Sequence, residues 1–210
     1  EARDQVGALL CACLSGAGDD DAVIADAFGD VIVLQVLCLG MERFKQDIVD
    51  AIVEEVHPAG IYERNDVPVR ELEGLEQQTG LLYGQVPDRV EMVENGVHFW
   101  VDVKEGQKTG FFLDQKENRA AIAPFVKDAR VLDCFTHTGS FALHAAHYGA
   151  KEVIGVDISD YACQFATENA AHRLEVPFTA YPEDFCACRD VAEGLFQHNN
   201  GARFCACHLV

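Results

Sequence analysis

Basic residues are scarce in this sequence. It carries 16 lysines and arginines against 35 aspartates and glutamates in 210 residues, a formal net charge of −19. Such a surplus repels a polyanion at long range, so it opposes binding to nucleic acid by general electrostatics, and any RNA contact must come from a local patch or another domain. Long apolar runs are missing as well. The longest, "VIVLQVLCLGM" from Val31, suits a buried strand and is too short to span a bilayer. The N-terminus has no basic stretch followed by an apolar segment and a small-residue cleavage site, which reads as a cytoplasmic chain. An even disulfide framework is lacking too. The nine cysteines are an odd number, and Cys11, Cys13, Cys38, Cys134 and Cys163 lie in apolar periodic segments where a reduced thiol packs as a small hydrophobe.

What is present divides into two halves. In the first, residues 1–15 suit a short helix, and "AVIADAF" and "VIVLQVLCL" read as strands around a tight turn at Gly29-Asp30. "MERFKQDIVDAIVEEV" places Met41, Phe44, Ile48, Ile52 and Val56 on one helical face, and His57-Pro58 ends that helix. "AGIYE" resumes as a strand, and Asn95-Gly96 between "RVEMVE" and "VHFWVDV" is a strong two-residue hairpin signal. The expectation is a small α+β domain over residues 1–103, strands on one helix.

Residues 104–210 change character near Val103 to Lys108, after which strands and helices alternate. Asp114 followed by Glu117 forms a capping-box pattern, predicting a helix from Gln115 to about Val126. Strand "RVLDCF", helix "SFALHAAHYG", strand "EVIGVD", helix "DYACQFATENAAHR", strand "FTAY", helix "CRDVAEGLFQ" and strand "RFCACHLV" follow. That alternation predicts a parallel Rossmann-like α/β sheet.

A dinucleotide-binding turn would show G-x-G-x-x-G, but the loop Phe135 to Ser140 has the single glycine Gly139, so pyrophosphate, and with it a nicotinamide-dependent oxidoreductase, is disfavoured. Acids stand instead at three strand ends: Asp133, Asp157 and Asp184. Asp157 suits the two hydroxyls of a ribose, Asp133 the amino-acid end of a cofactor, and Asp184 an adenine amino group. S-adenosylmethionine has all three parts. The alternative is that strand-end acids only cap the following helices, as Asp160 does.

The stretches "GQKTGFFLDQKENR" and "VLDCFTHTGSFALHAAHYGAKEVIGVDIS" together resemble the class I methyltransferases that modify cytosine carbon 5 of large-subunit ribosomal RNA, and "GIYERND", "RELEGLE" and "LLYG" are similar to that family's central domain. The resemblance runs from about Ala22 to Asp184. It implies a Rossmann-like sheet with strand order 3-2-1-4, incomplete here, preceded by the small α+β domain, with S-adenosyl-L-methionine as cofactor and ribosomal RNA as partner. Carried over by position, Asp133, Phe135, Thr138, Gly139, Asp157 and Asp184 line the cofactor pocket, and Phe112, Asp114, Gln115 and Arg119 close one side. Departures from the family set an opposing expectation. Its members begin with an RNA-binding PUA domain, continue after the fourth strand with an Asp-Pro-Pro motif, and place a nucleophilic cysteine after the fifth, and none of these is found here. The chain then reads as cut short at both ends, with no catalytic residue of its own. The alternative to an RNA methyltransferase is a cofactor-binding or RNA- or partner-binding remnant without activity.

The remaining candidates are weaker. Methylation at cytosine carbon 5 needs a thiolate in an activating setting to add to carbon 6. Cys134 lies mid-strand and reads as core. Two "CAC" triplets, Cys186 with Cys188 and Cys205 with Cys207, lack the usual C-x-x-C zinc spacing even with His198 or His208 added, so no metal is expected. His144 and His147, one helical turn apart, read as satisfied or solvated. Lys104, Lys108, Lys116, Arg119, Lys127 and Arg130, with Trp100, Phe111 and Phe112, are either an RNA-touching stretch or a solvated face over aromatic core. Ending the sheet at "RFCACHLV" would leave an apolar edge and favour self-association through Phe204 to Val210.

Overall fold

The computed structural model describes residues 22–173, 177–182 and 202–207. The expected helix over residues 1–15 with Cys11 and Cys13, the expected helix "CRDVAEGLFQ", Asp184, Cys186, Cys188, His198 and His208 lie outside those residues.

The first compact unit comprises Glu1–Val93 and Trp100–Phe112. Strands β1 (Val23–Phe28) and β2 (Val31–Val36) form an antiparallel hairpin turning at Gly29, whose φ of +57° is open to glycine without strain. A crossover then makes β3 (Gly60–Asn65) parallel to β2, and β4 (Gln78–Gly84) closes the order β1-β2-β3-β4 antiparallel to β3. The expected single helix of the crossover is two: α1 (Leu39–Glu42) and α2 (Lys45–Val56). Phe44 N bonds back only three residues to Met41 O (2.9 Å), and Lys45 Nζ reaches both Glu42 Oε1 (2.6 Å) and Glu63 Oε1 (2.8 Å), so the chain tightens and turns there. Of the expected face, Ile52 is buried with Val49 against Val23, Ala25, Ile32, Leu34, Val36 and Ile61, and Met41, Ile48 and Val56 pack half-buried on the same cluster, while Phe44 is exposed. Burying a side chain of this size is worth about 1.5 to 3 kcal/mol. His57, in the left-handed region (φ 52°, ψ 51°) and followed by Pro58, ends α2 as expected. A short helix, α3 (Val69–Leu72), precedes β4.

Strands β5 (Val90–Glu94) and β6 (Val97–Val101) form the expected hairpin, with Asn95 (φ 52°) and Gly96 (φ 80°) both in the left-handed region that a type I′ turn requires. Its tip, Glu94–Phe99, counts with the second unit. The segment after it stays with the first unit as far as Phe112. Sequence character changes nearer Val103, but Arg64 donates to Val103 O (3.1 Å) and Gly106 O (2.8 Å), and Thr109 Oγ1 to Asp26 Oδ2 (2.6 Å), which holds those residues to the first sheet.

In the second unit the helix expected from Gln115 to Val126 is in three pieces: a 3-10 turn (Leu113–Gln115), α4 (Lys116–Ala121) and α5 (Ala123–Val126). Gln115, not Asp114, stands at the N-cap of α4 and makes no side-chain cap bond. Pro124 at the start of α5 has no N–H to give to Ala120, which accounts for the second break. Beyond them β7 (Arg130–Cys134), α6 (Ser140–His147), β8 (Glu152–Asp157), α7 (Asp160–Arg173), β9 (Phe178–Pro182) and β10 (Ala202–Cys207) build a parallel sheet of order β10-β7-β8-β9. Taken in chain order these are strands 3-2-1-4, as expected. Successive β7 residues serve opposite faces: Val131 packs with Ile122, Val126, Phe141, Ala142 and Ala145, while Leu132 and Cys134 pack with Val156. A strand buried on both faces explains the unbroken apolar run of "VL" and the core role of Cys134. Among the described residues no helix is long and apolar enough to cross a membrane, and no group of three or more His, Cys, Asp or Glu is placed to hold a metal ion.

Candidate functional site

The carboxyl ends of β7 and β8 lie side by side, Cys134 opposite Val156 in the register, and the loop from Phe135 to Gly139 rises from them. That loop is bent hard. Phe135 (φ 60°), His137 (φ 51°) and Gly139 (φ 83°) all have positive φ, a conformation that costs non-glycine residues about 1 to 2 kcal/mol each and gathers at functional loops. Gly139 meets the requirement without a side chain and begins α6, where a Cβ would stand 3.0 Å from Leu143 Cδ1 and 3.2 Å from Ala166 Cβ.

Asp133 sits at the floor of this loop with no exposed surface. Its Oδ2 accepts from Thr136 Oγ1 (2.7 Å) and from the Ala142 amide in the first turn of α6 (3.1 Å). Its Oδ1 is buried without a hydrogen-bond partner. Loss of water raises the Asp133 pKa from 3.8 to about 7, against the lowering effect of the Thr136 and Ala142 bonds and with the nearby Asp157 charge adding to the rise. A buried acceptor left open in this way needs a donor, and a cation is the donor it would most favour. Thr136 is fixed in turn: its amide donates to Val156 O (3.0 Å), and its side chain fills the space over Gly155, where a Cβ would lie 3.0 Å from both Thr136 Cγ2 and Oγ1.

Asp157, half-buried at the end of β8, accepts from the His137 amide on Oδ2 (2.9 Å) and the Ser159 amide on Oδ1 (3.0 Å). The turn-holding role weighed for strand-end acids is thus real here, yet each oxygen keeps a second lone pair for a hydroxyl. Asn169 Nδ2 on α7 donates to Thr138 O (3.0 Å), closing the loop from the far side. Next to Asp157, Ile158 is 78 % exposed, an apolar side chain at a strand end with nothing of its own to cover.

Of the residues proposed from sequence, Asp133, Phe135, Thr138, Gly139 and Asp157 are brought together at these strand ends. Asp114 and Gln115 sit on the 3-10 turn in a local chain of bonds, Gln115 Nε2 to Asp114 Oδ2 (3.4 Å) and Asn118 Nδ2 to Gln115 Oε1 (2.8 Å). Arg119 has no exposed surface; its Nε and Nη2 donate to the two carboxylate oxygens of Glu94 at 2.5 and 2.9 Å, which makes it part of a buried pair. Phe112 belongs to the first unit, where Lys108 Nζ lies 4.6 Å from its ring centroid. Three of the six basic side chains of the stretch are in ion pairs, Lys104 with Asp88 (2.7 Å), Arg119 with Glu94 and Arg130 with Glu152, and Phe111 is buried. His144 is fully buried and bonded, as expected of a satisfied histidine. Sequence reading missed Thr136, Asn169, Ile158 and Glu94. For Glu94 a signal existed, because the alternation Val90, Met92, Glu94 turns all three inward on β5.

The described thiols are Cys38, half-buried, and Cys134 and Cys163, both buried. Burial raises the Cys163 thiol, and the Asp157 and Asp160 carboxylates push it further in the same direction.

Residues 75–177 match the family model described as S-adenosylmethionine-dependent methyltransferase. Over 150 residues the chain is 45% identical to a protein named Ribosomal RNA large subunit methyltransferase I from Tolumonas auensis, an alignment covering 70% of this chain and 38% of that one. The chain therefore spans well under half the length of the curated relatives it matches. Among solved structures, a putative SAM-dependent methyltransferase from Streptococcus mutans superposes with a TM-score of 0.70 at 23% identity, covering 83% of this chain and 46% of the other. TYW2 of P. horikoshii, solved in complex with MeSAdo, gives a TM-score of 0.57 at 25% identity over 77% of this chain and 55% of its own.

Proposed function

Because the chain belongs to the S-adenosylmethionine-dependent methyltransferase family, we propose that its second unit binds S-adenosylmethionine at the ends of β7 and β8, on behalf of a protein that methylates large-subunit ribosomal RNA. The single observation that carries this reading is Asp133 Oδ1, a buried carboxylate oxygen without a partner at the base of a strained loop. The residues fit the cofactor. Asp133 offers its open oxygen to the ammonium group, Asp157 its free lone pairs to the ribose hydroxyls, and exposed Ile158 an apolar surface to the adenine. The absence of a side chain at Gly139 lets the loop backbone approach closely. Bound there, the cofactor supplies an electrophilic methyl group on a sulfonium.

The finer target, cytosine carbon 5, follows from the motif resemblance. Its chemistry requires a thiolate, and the described thiols argue against themselves: Cys134 is buried in the sheet, and Cys163 faces two carboxylates that disfavour ionisation. In this reading the described residues hold and orient the cofactor while the nucleophile comes from elsewhere. Titration calorimetry of the chain with S-adenosylhomocysteine tests the binding site. Saturable binding lost in Asp133→Asn is expected, and no binding to the folded chain would overturn the proposal. Radiolabelled methyl transfer to ribosomal RNA that disappears in Cys163→Ser would overturn the exclusion of that thiol.

A further inference from the structure

Behind the cofactor loop lies a buried polar cluster that takes no part in the site just described. Glu94 (4 % exposed) and Arg119 (no exposed surface) form a bidentate pair, and fully buried His144 stands beside them. His144 Nδ1 lies 2.8 Å from Ser140 O, Nε2 lies 3.3 Å from Asn95 Nδ2, and the ring stacks on Phe99 with centroids 5.4 Å apart. Burial lowers the pKa of His144, so the ring is neutral, with Nδ1–H donating to Ser140 and Nε2 accepting from Asn95. Its 3.6 Å approach to Glu94 is then a dipolar contact and not an ion pair. Arg119 also reaches α6, its Cζ lying 5.8 Å from the centroid of Phe141.

These contacts converge on one turn of helix. Ser140 O is bonded by His144 of the same helix, whose ring is anchored on Asn95 and Phe99, Arg119 lies against the ring of Phe141, and the next residue, Ala142, is held from the sheet by Asp133. The residue before them is Gly139. A buried ion pair is a poor device for stability alone, since well-packed apolar residues of similar volume commonly do as well or better. It is a good device for fixing direction, because the guanidinium fork and the carboxylate define a plane.

We propose that Glu94, Arg119 and His144 are positioning residues that set the first turn of α6 and, through it, the Thr138–Ser140 backbone facing the cofactor. This rests on the binding reading above and assigns the tip of the β5–β6 hairpin a role in cofactor affinity. The decisive variant is the double replacement Glu94→Leu with Arg119→Met, which removes the charges but keeps the volume. Its expected behaviour is a melting temperature close to that of the parent, S-adenosylhomocysteine affinity weakened about tenfold, and faster amide exchange at Gly139 to Ala142 in the ligand-free chain. Arg119→Lys keeps the charge without the fork and should show a smaller loss in both readouts. A folded double variant with parental affinity and parental exchange would overturn the proposal, and if the double variant does not fold, unchanged values in Arg119→Lys do the same. Should the parent itself not bind S-adenosylhomocysteine, the binding reading falls, and amide exchange alone then decides whether the cluster sets this turn.

Discussion

Thr136 Oγ1 donates to Asp133 Oδ2 at 2.7 Å, and that bond leaves the opposite oxygen of a fully buried carboxyl with nothing to accept. Burial without a compensating donor raises the pKa of this carboxyl to about 7. A cofactor ammonium placed at Oδ1 favours the ionised form, so binding should expel a proton. Affinity for S-adenosylhomocysteine is accordingly expected to weaken as the pH falls below about 7. Calorimetry just below that pH, repeated in buffers of different ionisation enthalpy, should detect proton release. Identical heats in all buffers would remove Asp133 from the ammonium site.

Stability should carry the same signature. The Asp133 pKa is raised from 3.8 to about 7, so between those values the native state keeps a proton that the unfolded chain has lost, and this group's contribution declines as the pH rises. His144 acts in reverse: burial lowers its pKa from 6.5, so on acidification below 6.5 the unfolded chain gains a proton that the native state refuses, and stability falls. The slopes oppose one another. Asp133→Asn removes only the first, and urea denaturation should show this variant improving relative to the parent between about pH 5 and about pH 7.5. A constant difference across that range would mean that Asp133 ionises normally in the folded chain.

The sheet of the second unit was legible in advance because alternating strands and helices leave few ways to build it, and the order 3-2-1-4 appeared as β10-β7-β8-β9. Helix continuity was harder to read. Periodicity runs straight through Phe44 and Ile122, but the bonds from Lys45 to two acids and the missing amide of Pro124 break the helices there. The site divides in the same way. Asp133, Gly139 and Asp157 announce themselves by position at strand ends. The pairing of Arg119 on α4 with Glu94 at the end of β5 joins residues 25 apart in sequence, and no local pattern records which acid an arginine will meet.

Asp157 is expected to contribute to binding more than to folding. Its carboxylate holds the His137 and Ser159 amides, so Asp157→Ala should cost some stability, but Asp157→Asn keeps one acceptor oxygen and isolates the charge. A loss of about 1 to 3 kcal/mol in S-adenosylhomocysteine binding is anticipated for the alanine variant, the range for charge-assisted hydrogen bonds to hydroxyls. Differential scanning calorimetry on the free variant and titration on the same sample separate the two effects. Unchanged affinity in a folded Asp157→Ala chain would place the ribose elsewhere.

Gly155 offers the sharpest test of how the loop is supported. It lies in the middle of β8, one residue before Val156, whose carbonyl accepts the Thr136 amide. A methyl group there would stand 3.0 Å from Thr136 Cγ2 and Oγ1 and 3.2 Å from its Cβ, tighter than ordinary contact on three atoms of one side chain. The strand cannot yield readily, because Gly155 is paired with Asp133 on one side and Ala180 on the other. Thr136 must therefore move, and its hydroxyl would leave Asp133 Oδ2. Gly155→Ala should then weaken S-adenosylhomocysteine binding by more than its effect on melting would suggest. Adding Thr136→Ser removes Cγ2, frees the hydroxyl to rotate back towards Asp133, and should restore part of the affinity. If Gly155→Ala binds as the parent does, or if Thr136→Ser in that background lowers affinity further, then Thr136 is not the strut that holds Asp133 in place.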